Sequence, residues 1–234
     1  MGGQQVEITP FGSLYAASRW TESGGFQTLI DPDHPSIFWS MASGVSADGN
    51  TVVGTYFDNA DGFATGFKWT PDRGVERLPN PTGRADYYAA DISSDGRRIV
   101  GTLNYPDGTH NVMWMDGTVI DMGRSTPMTG EPNAVSNTGL VILDNRQFDV
   151  QATVWSAELG RTVTLFDYIE SFGIDVPDNW VLFDAVSVSD DGRTIAGSAF
   201  LPDRHYRGFV VTVPGVSSLS LLAGAACVLR RRRS

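Results

Sequence analysis

The sequence predicts an all-β protein: a β-propeller-like array of about four to five four-stranded repeat units, followed by a short C-terminal apolar helix. Three observations support this prediction. A phrase containing serine, aspartate and glycine returns along the chain, and a second phrase containing tryptophan follows each copy. The last residues are apolar and then strongly basic. The two phrases predict the array, and the basic apolar end predicts the helix.

The first phrase combines an anchor serine, an Asp-Gly pair and a β-branched run. Gly44–Gly54 aligns without gaps on Asp91–Gly101, Ser187–Gly197 is another strong copy, and Ala134–Leu143 is a weaker one. The anchor serines, 43 to 53 residues apart, are Ser46, Ser93, Ser136 and Ser189. Because glycine tolerates the positive φ of tight turns and β-branched residues favour strands, each copy predicts a hairpin.

The second phrase places tryptophan before a glycine-containing turn and an apolar strand. The equivalent tryptophans are Trp20, Trp69, Trp114 and Trp155. Val211 occupies this position in the last copy. Repetition at one structural position favours packing between neighbouring sheets over a sugar-stacking platform. The repeated Asp48, Asp95 and Asp191 are likewise interpreted as turn residues rather than catalytic ones.

These repeats divide the chain into two regions. Residues 1–213 form the repeat domain, with units at about 15–30 (a half unit), 41–79, 88–123, 132–166 and 184–213, and residues 214–234 form a sorting or transmembrane segment. A single small sheet cannot bury both faces, so the units are expected to stack. The opening half unit could supply the outer strand of the last unit. The insertion at 167–183 is expected to project as a loop or short helix.

Composition excludes several classes of protein. The chain has 234 residues and a formal net charge of −10. Without the four terminal arginines, 13 basic residues remain against 27 acidic ones. A body this acidic repels polyphosphate, which argues against nucleic-acid binding. The single cysteine, Cys227, lies in the apolar tail, so the repeat domain can hold neither a disulfide framework nor a cysteine-based metal site.

The tail indicates where the protein goes. An apolar stretch from Val216 to Leu229 runs directly into four arginines, Arg230, Arg231, Arg232 and Arg233. Such a segment inserts into a bilayer and leaves its cations on the cytoplasmic side. It is shorter than the roughly 20 residues that span a membrane comfortably, which favours a temporary signal over a durable anchor. The alternative is an amphipathic or core helix that ends in arginines.

The tail resembles the PEP-CTERM type of sorting segment, which exosortases recognise in Gram-negative bacteria. The apolar helix and basic end match, whereas Val213-Pro214-Gly215 stands where the family has Val-Pro-Glu-Pro. The resemblance implies an exosortase-like partner, passage through the membrane and an extracellular or cell-surface destination. Residues 1–8 have no signal-peptide character. We therefore expect the natural N-terminus to lie upstream; the alternative is a cytoplasmic protein with no sorting tail.

The two phrases together resemble the extracellular HAF repeat. That repeat has strand, Asp-Gly, strand-Gly, then a small residue, an aromatic and tryptophan. Thr65-Gly66-Phe67 and Arg207-Gly208-Phe209 stand where the family has His-Ala-Phe. The resemblance covers roughly residues 15–213 and implies a secreted or surface-exposed propeller-like array with no established chemistry.

Catalytic and metal-binding patterns are weak. The three histidines, His34, His110 and His205, have no metal-ligand spacing and are interpreted as surface-loop residues, with a shared site as the alternative. The stretch 57–62 has acidic calcium-loop character but lacks the bidentate glutamate, which favours a turn. Neither a Gly-x-Ser-x-Gly elbow nor a phosphate loop is present. No cofactor is predicted.

Two functions remain open. The first is a non-enzymatic secreted, cell-surface or matrix protein that binds a glycan or another protein through propeller loops. Trp39 and Trp180 lie outside the repeat positions and are its candidate ligand contacts. The alternative is a propeller-type glycoside hydrolase or lyase with axial carboxylates, to which Asp86, Asp144 or Asp167 could contribute. The equivalence of most notable residues between repeats favours the first.

Overall fold

The fold is taken from a computed structural model. It describes residues 2–9, 12–31, 36–83, 85–144, 150–177, 179–203 and 205–214, with side chains from Tyr15 onward. The predicted C-terminal apolar helix and Arg230 to Arg233 lie outside these residues. Within them, no helix is long and apolar enough to cross a membrane.

The described chain forms five antiparallel sheets and one short helix, which confirms the all-β prediction. Sheet 1 contains β1 (Gly2–Thr9), β2 (Gly12–Thr21) and β3 (Gly25–Thr28). Sheet 2 contains β4 (Ile37–Val45), β5 (Val52–Asp58), β6 (Phe63–Thr70) and β7 (Gly74–Arg77). Sheet 3 contains β8 (Tyr87–Ile92), β9 (Arg98–Tyr105), β10 (Gly108–Met115) and β11 (Thr118–Arg124). Sheet 4 contains β12 (Glu131–Val135), β13 (Val141–Asp144), β14 (Thr153–Trp155) and β15 (Val163–Thr164). Helix α1 (Leu165–Glu170) follows, and sheet 5 contains β16 (Val181–Val188), β17 (Thr194–Phe200) and β18 (Tyr206–Thr212).

The sheets stack in chain order like propeller blades. Their first strands contact one another in succession, β4 with β8, β8 with β12, and β12 with β16, and sheet 1 packs against β4. We call β4, β8, β12 and β16 the inner strands. Strand β2 pairs with β1 on one side and with β3 on the other, and none of the three pairs with a strand of sheet 5. The opening half unit therefore belongs to a sheet of its own and does not complete the last one.

The repeated Ser-x-Asp-Gly phrase forms the turn between the first and second strands. The Ser46 hydroxyl donates to Asp48 Oδ1 at 2.6 Å, and the Thr51 amide donates to Ser46 Oγ at 2.9 Å. Ser93 and Ser189 make the same pair of bonds in sheets 3 and 5. Hydrogen bonds donated by Ser46 and Asn50 lower the pKa of Asp48. The turn interpretation of these aspartates is confirmed.

Each inner strand of sheets 2 to 5 carries a β-bulge three residues before its anchor serine. The bulged residues are Ser43, Ala90, Asn133 and Val186. In three sheets the strand that faces the bulge has a glycine at this level. A Cβ on that glycine would overlap a backbone carbonyl oxygen of the bulged strand. The glycines and the residues whose oxygens they would meet are Gly54 and Met41, Gly101 and Tyr88, and Gly197 and Asp184. The glycine that ends the first phrase is thus required by the bulge opposite it.

The repeat tryptophans pack toward the preceding sheet, with one exception. Trp69 is buried with sheet-1 residues, Trp114 with sheet-2 residues and Trp155 with sheet-3 residues. The core prediction is correct for these three. Trp20 is 47% exposed. Its sheet is the first of the stack, so no described sheet precedes it to cover the ring.

The insertion after sheet 4 packs inward instead of projecting. Helix α1 begins at an N-cap, where Thr164 Oγ1 accepts from the Asp167 amide at 3.0 Å. Leu165, Tyr168 and Ile169 are buried in the cluster between sheets 4 and 5. Tyr168 also contacts Phe172 edge-on at 5.2 Å. The predicted short helix is present, but its apolar face joins the core, so the expectation of a projecting segment was wrong.

Candidate functional site

A groove of about 730 Å³ lies at the turn end of sheets 3, 4 and 5. The hairpin turns at Thr138-Gly139 and Asp191-Gly192 form part of its wall, and the α1 residue Tyr168 forms another part. Apolar side chains dominate the lining, among them Met113, Met115, Ile120, Trp155 and Leu159. We call this feature the groove. Its volume and apolar lining are typical of ligand sites.

Two arginines bring positive charge to the groove. Arg98 Nη1 lies 3.3 Å from Asp95 Oδ2, and Arg193 Nε donates to the Val213 carbonyl at 3.3 Å. Asp191 and Glu158 bring negative charge to the same wall. The Ser189 hydroxyl and the Arg193 amide donate to Asp191 and lower the pKa of its carboxyl group. The rim is therefore polar and of mixed sign around an apolar floor.

The polar side chains of the groove have structural partners. The Ser156 hydroxyl accepts from the Leu159 amide at 3.3 Å, and the Ser171 hydroxyl donates to the Tyr168 carbonyl at 2.6 Å. Burial raises the pKa of the Tyr168 phenol to about 12, helped by the negative charge of Glu158. The phenol is therefore neutral at physiological pH. The groove offers an apolar surface with hydrogen-bonding edges, which is a binding arrangement.

A second unusual position is Asp91 on inner strand β8. Its Oδ2 accepts from the Val135 amide of sheet 4 at 3.0 Å. Gly44 of sheet 2 leaves room for it, since a Cβ there would lie 3.1 Å from Asp91 Oδ1. Burial raises the pKa of Asp91 to about 6, although hydrogen bonds from the Ile92 and Val135 amides act in the opposite direction. One carboxyl group thus links the inner strands of three sheets.

The repeat alignment already shows that the position of Asp91 is unusual. The equivalent position is Gly44 in the first copy, Ala134 in the third and Ser187 in the fourth. A charged residue among three small ones at a repeat position breaks the pattern and marks this copy. The groove has no comparable signal because it combines residues from three sheets and a helix.

The surface-loop prediction has a different outcome for each of the three histidines. His34 lies outside the described residues, and His205 is an exposed turn residue beside Asp203. His110 lies within strand β10 and is buried, so its assignment to a surface loop was wrong. Its Nδ1 lies 2.9 Å from Asp121 and its Nε2 3.2 Å from Asp107. The ring also packs on Tyr105, with centroids 4.6 Å apart. His110 thus connects strand β10 to Asp121 of strand β11.

The acidic 57–62 stretch is the turn between β5 and β6. Asp58 Oδ1 accepts from the Ala60 amide at 2.9 Å, and Arg77 pairs with Asp61 at 2.7 Å. The carboxylates are thus held by protein donors, as the turn interpretation predicts. Within the described ranges, no group of three or more histidine, cysteine, aspartate or glutamate residues is arranged to hold a metal ion.

The predicted ligand-contact tryptophans lie apart from the groove lining. Trp39 is half-buried on β4, opposite Phe57. Trp180 packs against the cluster between sheets 4 and 5, and its carbonyl accepts from Gln151 Nε2 at 3.1 Å. Their role in ligand binding stays a prediction. Of the predicted sorting residues, Val213 is buried and lines the groove with Pro214, whereas Gly215 lies outside the described residues.

The candidate axial carboxylates lie on three different elements. Asp86 precedes inner strand β8, and its Oδ1 accepts from the Ala64 amide at 2.7 Å. Asp144 ends the second strand of sheet 4, and Asp167 lies in α1. Asp86 thus lies just before an inner strand, whereas Asp144 and Asp167 lie on elements that are not inner strands. Asp91, a half-buried carboxyl group on an inner strand, was not among the predicted candidates.

Three solved structures are similar to this chain. TolB from Acinetobacter baumannii superposes with a TM-score of 0.52 at 13% identity, covering 85% of this chain and 46% of TolB. This chain therefore spans about half the length of that protein. A nidogen/laminin complex gives 0.49 at 15% identity, covering 88% and 74% of the two chains. The β-propeller domain of the Trilobed protease from Pyrococcus furiosus gives 0.43 at 9%, covering 93% and 72%.

The TolB likeness is a likeness of fold alone, and the fold is propeller-like. No protein-family model matches the chain. No curated protein matches it either.

Proposed function

We propose that this chain is a non-enzymatic, secreted or cell-surface binding protein that takes a protein partner through the groove. The observation that carries the proposal is the groove itself: about 730 Å³, with an apolar floor and a polar rim. A cavity of this size accepts one or two large side chains and the backbone that connects them.

The lining favours a protein partner over a glycan. Sugars stack on open aromatic faces, but Trp155 is buried. Met113 and Met115 supply flexible thioether side chains, which adapt to varied apolar partners. Arg98 and Arg193 can donate hydrogen bonds to carbonyl or carboxylate groups of a peptide at the rim. An apolar peptide segment with a flanking acidic group is the chemistry that fits best.

The export part of the proposal rests on the sequence. The HAF-like repeats and the PEP-CTERM-like tail both favour a surface protein that an exosortase-like enzyme sorts. In this proposal Arg230 to Arg233 act as the stop signal on the cytoplasmic side. Val213 and Pro214 connect the tail to the folded body.

The test is a screen of the protein against a linear peptide library and a glycan array. We expect peptides with clustered large apolar residues to bind, and Leu159→Arg to reduce their affinity at least tenfold by placing a charge in the groove. Val75→Arg is the matched control, because Val75 is a partly exposed apolar residue in sheet 2, away from the groove. Peptides that bind both variants equally, or binding to glycans alone, would contradict the proposal.

A further inference from the structure

Sheet 5 has an open outer edge where three other sheets have a fourth strand. In sheets 2, 3 and 4, the strands β7, β11 and β15 cover the outer side of the third strand. In sheet 5 the third strand, β18, is the last one described. Its side chains from Tyr206 to Thr212 are all at least partly exposed, and Val210 is 73% exposed. The equivalent strand β6 is largely buried.

The missing element has a recognisable anchor in sheets 1, 2 and 4; in sheet 3 the corresponding residue, Asn111, lies opposite Gly123 instead. A buried leucine directly follows the outer strand, and its amide donates to the backbone carbonyl of the residue three before the repeat tryptophan. The bonds run from Leu29 to Ala17 at 2.8 Å, from Leu78 to Gly66 at 3.0 Å, and from Leu165 to Ala152 at 2.7 Å. The accepting residue is always alanine or glycine, which leaves room for the leucine. In sheet 2, a Cβ on Gly66 would lie 3.3 Å from Leu78 Cδ1.

The sequence after β18 repeats this anchor. Gly74-Val75-x-x-Leu78 of sheet 2 matches Gly215-Val216-x-x-Leu219, directly after β18. The position three before Val211, which replaces the repeat tryptophan, is Gly208. Pro214-Gly215 is a turn dipeptide, as a connection between neighbouring antiparallel strands requires.

The spacing also agrees with an observed connection. In sheet 3, Trp114 lies opposite Val119, five residues later. The same spacing places Val211 opposite Val216, and therefore Gly208 opposite Leu219. These are the partners that the anchor bonds of the other sheets require.

We infer that Val216–Leu219 occupies the outer edge of β18 as the fourth strand of sheet 5, with Leu219 opposite Gly208. The occupant is a segment of this chain, and its backbone pairs with the edge that β18 presents. The side chain of Leu219 fills the position that Leu29, Leu78 and Leu165 fill in their own sheets.

This assignment changes how the tail is divided. Val216–Leu219 also begins the apolar stretch that the sequence assigns to membrane insertion. These residues cannot pair with β18 and lie in a bilayer at the same time. When the strand is paired, only Ser220 to Leu229 remains apolar and unpaired with the sheet, which is well short of the roughly 20 residues of a spanning helix. Completion of sheet 5 therefore competes with insertion of the tail.

Hydrogen exchange in the full-length chain, kept in mild detergent, tests the strand. We expect the amides of 206–212 that face away from β17 to be protected in the natural sequence and to exchange at least tenfold faster in Leu219→Asp. Leu222→Asp is the matched control: it places the same charge in the apolar stretch but beyond the strand, so protection should be unchanged. Equal exchange in the two variants would overturn the inference.

Crosslinking provides a second measurement that does not depend on stability. In a Cys227→Ser background, Val210→Cys is combined with Ser217→Cys, which the register places opposite it, or with Ser220→Cys. We expect oxidation to join only the 210–217 pair, since a disulfide needs Cα atoms within about 7 Å. Equal crosslinking of both pairs, or of neither, would overturn the inference.

Discussion

At the residue scale, the four copies of one phrase differ most at the position of Asp91. Glycine, alanine or serine suffices at this position in the other sheets, so the turn and bulge do not require a carboxyl group. Asp91 instead connects inner strands through the Val135 amide and the space above Gly44. Removing this group from water raises the free energy of the ionised carboxylate relative to that of the protonated acid.

Asp91 should therefore make stability depend on pH. Its folded pKa, about 6, lies above its unfolded value of 3.8, so its contribution is greatest below pH 4 and is lost as pH rises through 6. We expect Asp91→Asn to equal the natural protein near pH 4 and to exceed it by on the order of 2–3 kcal/mol at pH 7.5. Urea unfolding at both pH values measures the difference. A difference that does not change with pH would contradict the burial of this group.

The tryptophans provide a second residue-scale prediction. Trp69 and Trp114 are buried between sheets, so replacing either with alanine should cost about 3–5 kcal/mol. Trp20 has the same place in the phrase but is 47% exposed, with no described sheet before it, so Trp20→Ala should cost much less. Changes at the half-buried Trp39 and Trp180 should also cost less than those at Trp69. Thermal unfolding of the single variants gives the comparison, and equal losses at Trp20 and Trp69 would contradict the stacking order.

At the element scale, the bulge and its facing glycine form one unit. The extra residue moves the carbonyl of the inner strand toward the second strand, and only glycine leaves room for it. Sheet 4 departs from this pattern: Leu143 faces Pro132, where the other sheets pair glycine with alanine. This is also the copy in which the phrase is weakest.

Gly101→Ala should therefore destabilise the protein by about 3 kcal/mol, at the upper end of overpacking costs, because the new Cβ overlaps the Tyr88 carbonyl oxygen. Gly208→Ala is the control. Gly208 is also a strand glycine, but the nearest atom to its Cβ is 3.9 Å away. Alanine stands at the equivalent Ala17 and Ala152, so this change should cost well under 1 kcal/mol. Chemical denaturation of both variants measures it, and equal costs would contradict the bulge assignment.

At the scale of the whole molecule, the described body and the tail have opposite properties. The body is acidic and buries Trp69, Trp114 and Trp155 between sheets, whereas the tail is apolar and then carries four arginines. Apolar side chains are exposed at both ends of the stack: Phe26 in sheet 1 and Val210 in sheet 5. The two end sheets therefore have uncovered faces in the described chain.

The sorting proposal makes a prediction at this scale. We expect protein extracted from the surface of its native cell to lack Arg230 to Arg233, since the sorting enzyme removes the basic end. Intact-mass spectrometry measures the C-terminus directly. Recovery from the cytosol of a chain ending in Arg233-Ser234 would contradict both the sorting and the export proposals.

The sequence by itself determined the repeat, its turns and the all-β class. These depend on local chemistry: Asp-Gly turns, β-branched runs and the hydrogen bonds of Ser46 and its equivalents all act within a few residues. The buried Trp69, Trp114 and Trp155 could be predicted for the same reason, because one position recurs. A repeated residue has the same environment in each sheet when the neighbouring sheet is also repeated.

Only the tertiary structure decided which repeat positions have neighbours. Trp20 is exposed because no described sheet precedes it, His110 is buried because Asp107, Asp121 and Tyr105 surround it, and the groove exists because three sheets and α1 meet. These features depend on contacts between residues far apart in the chain, which periodicity does not encode. Asp91 combines both cases. Its departure from the repeat is visible in the sequence, but its half-buried place among the inner strands depends on how the sheets stack.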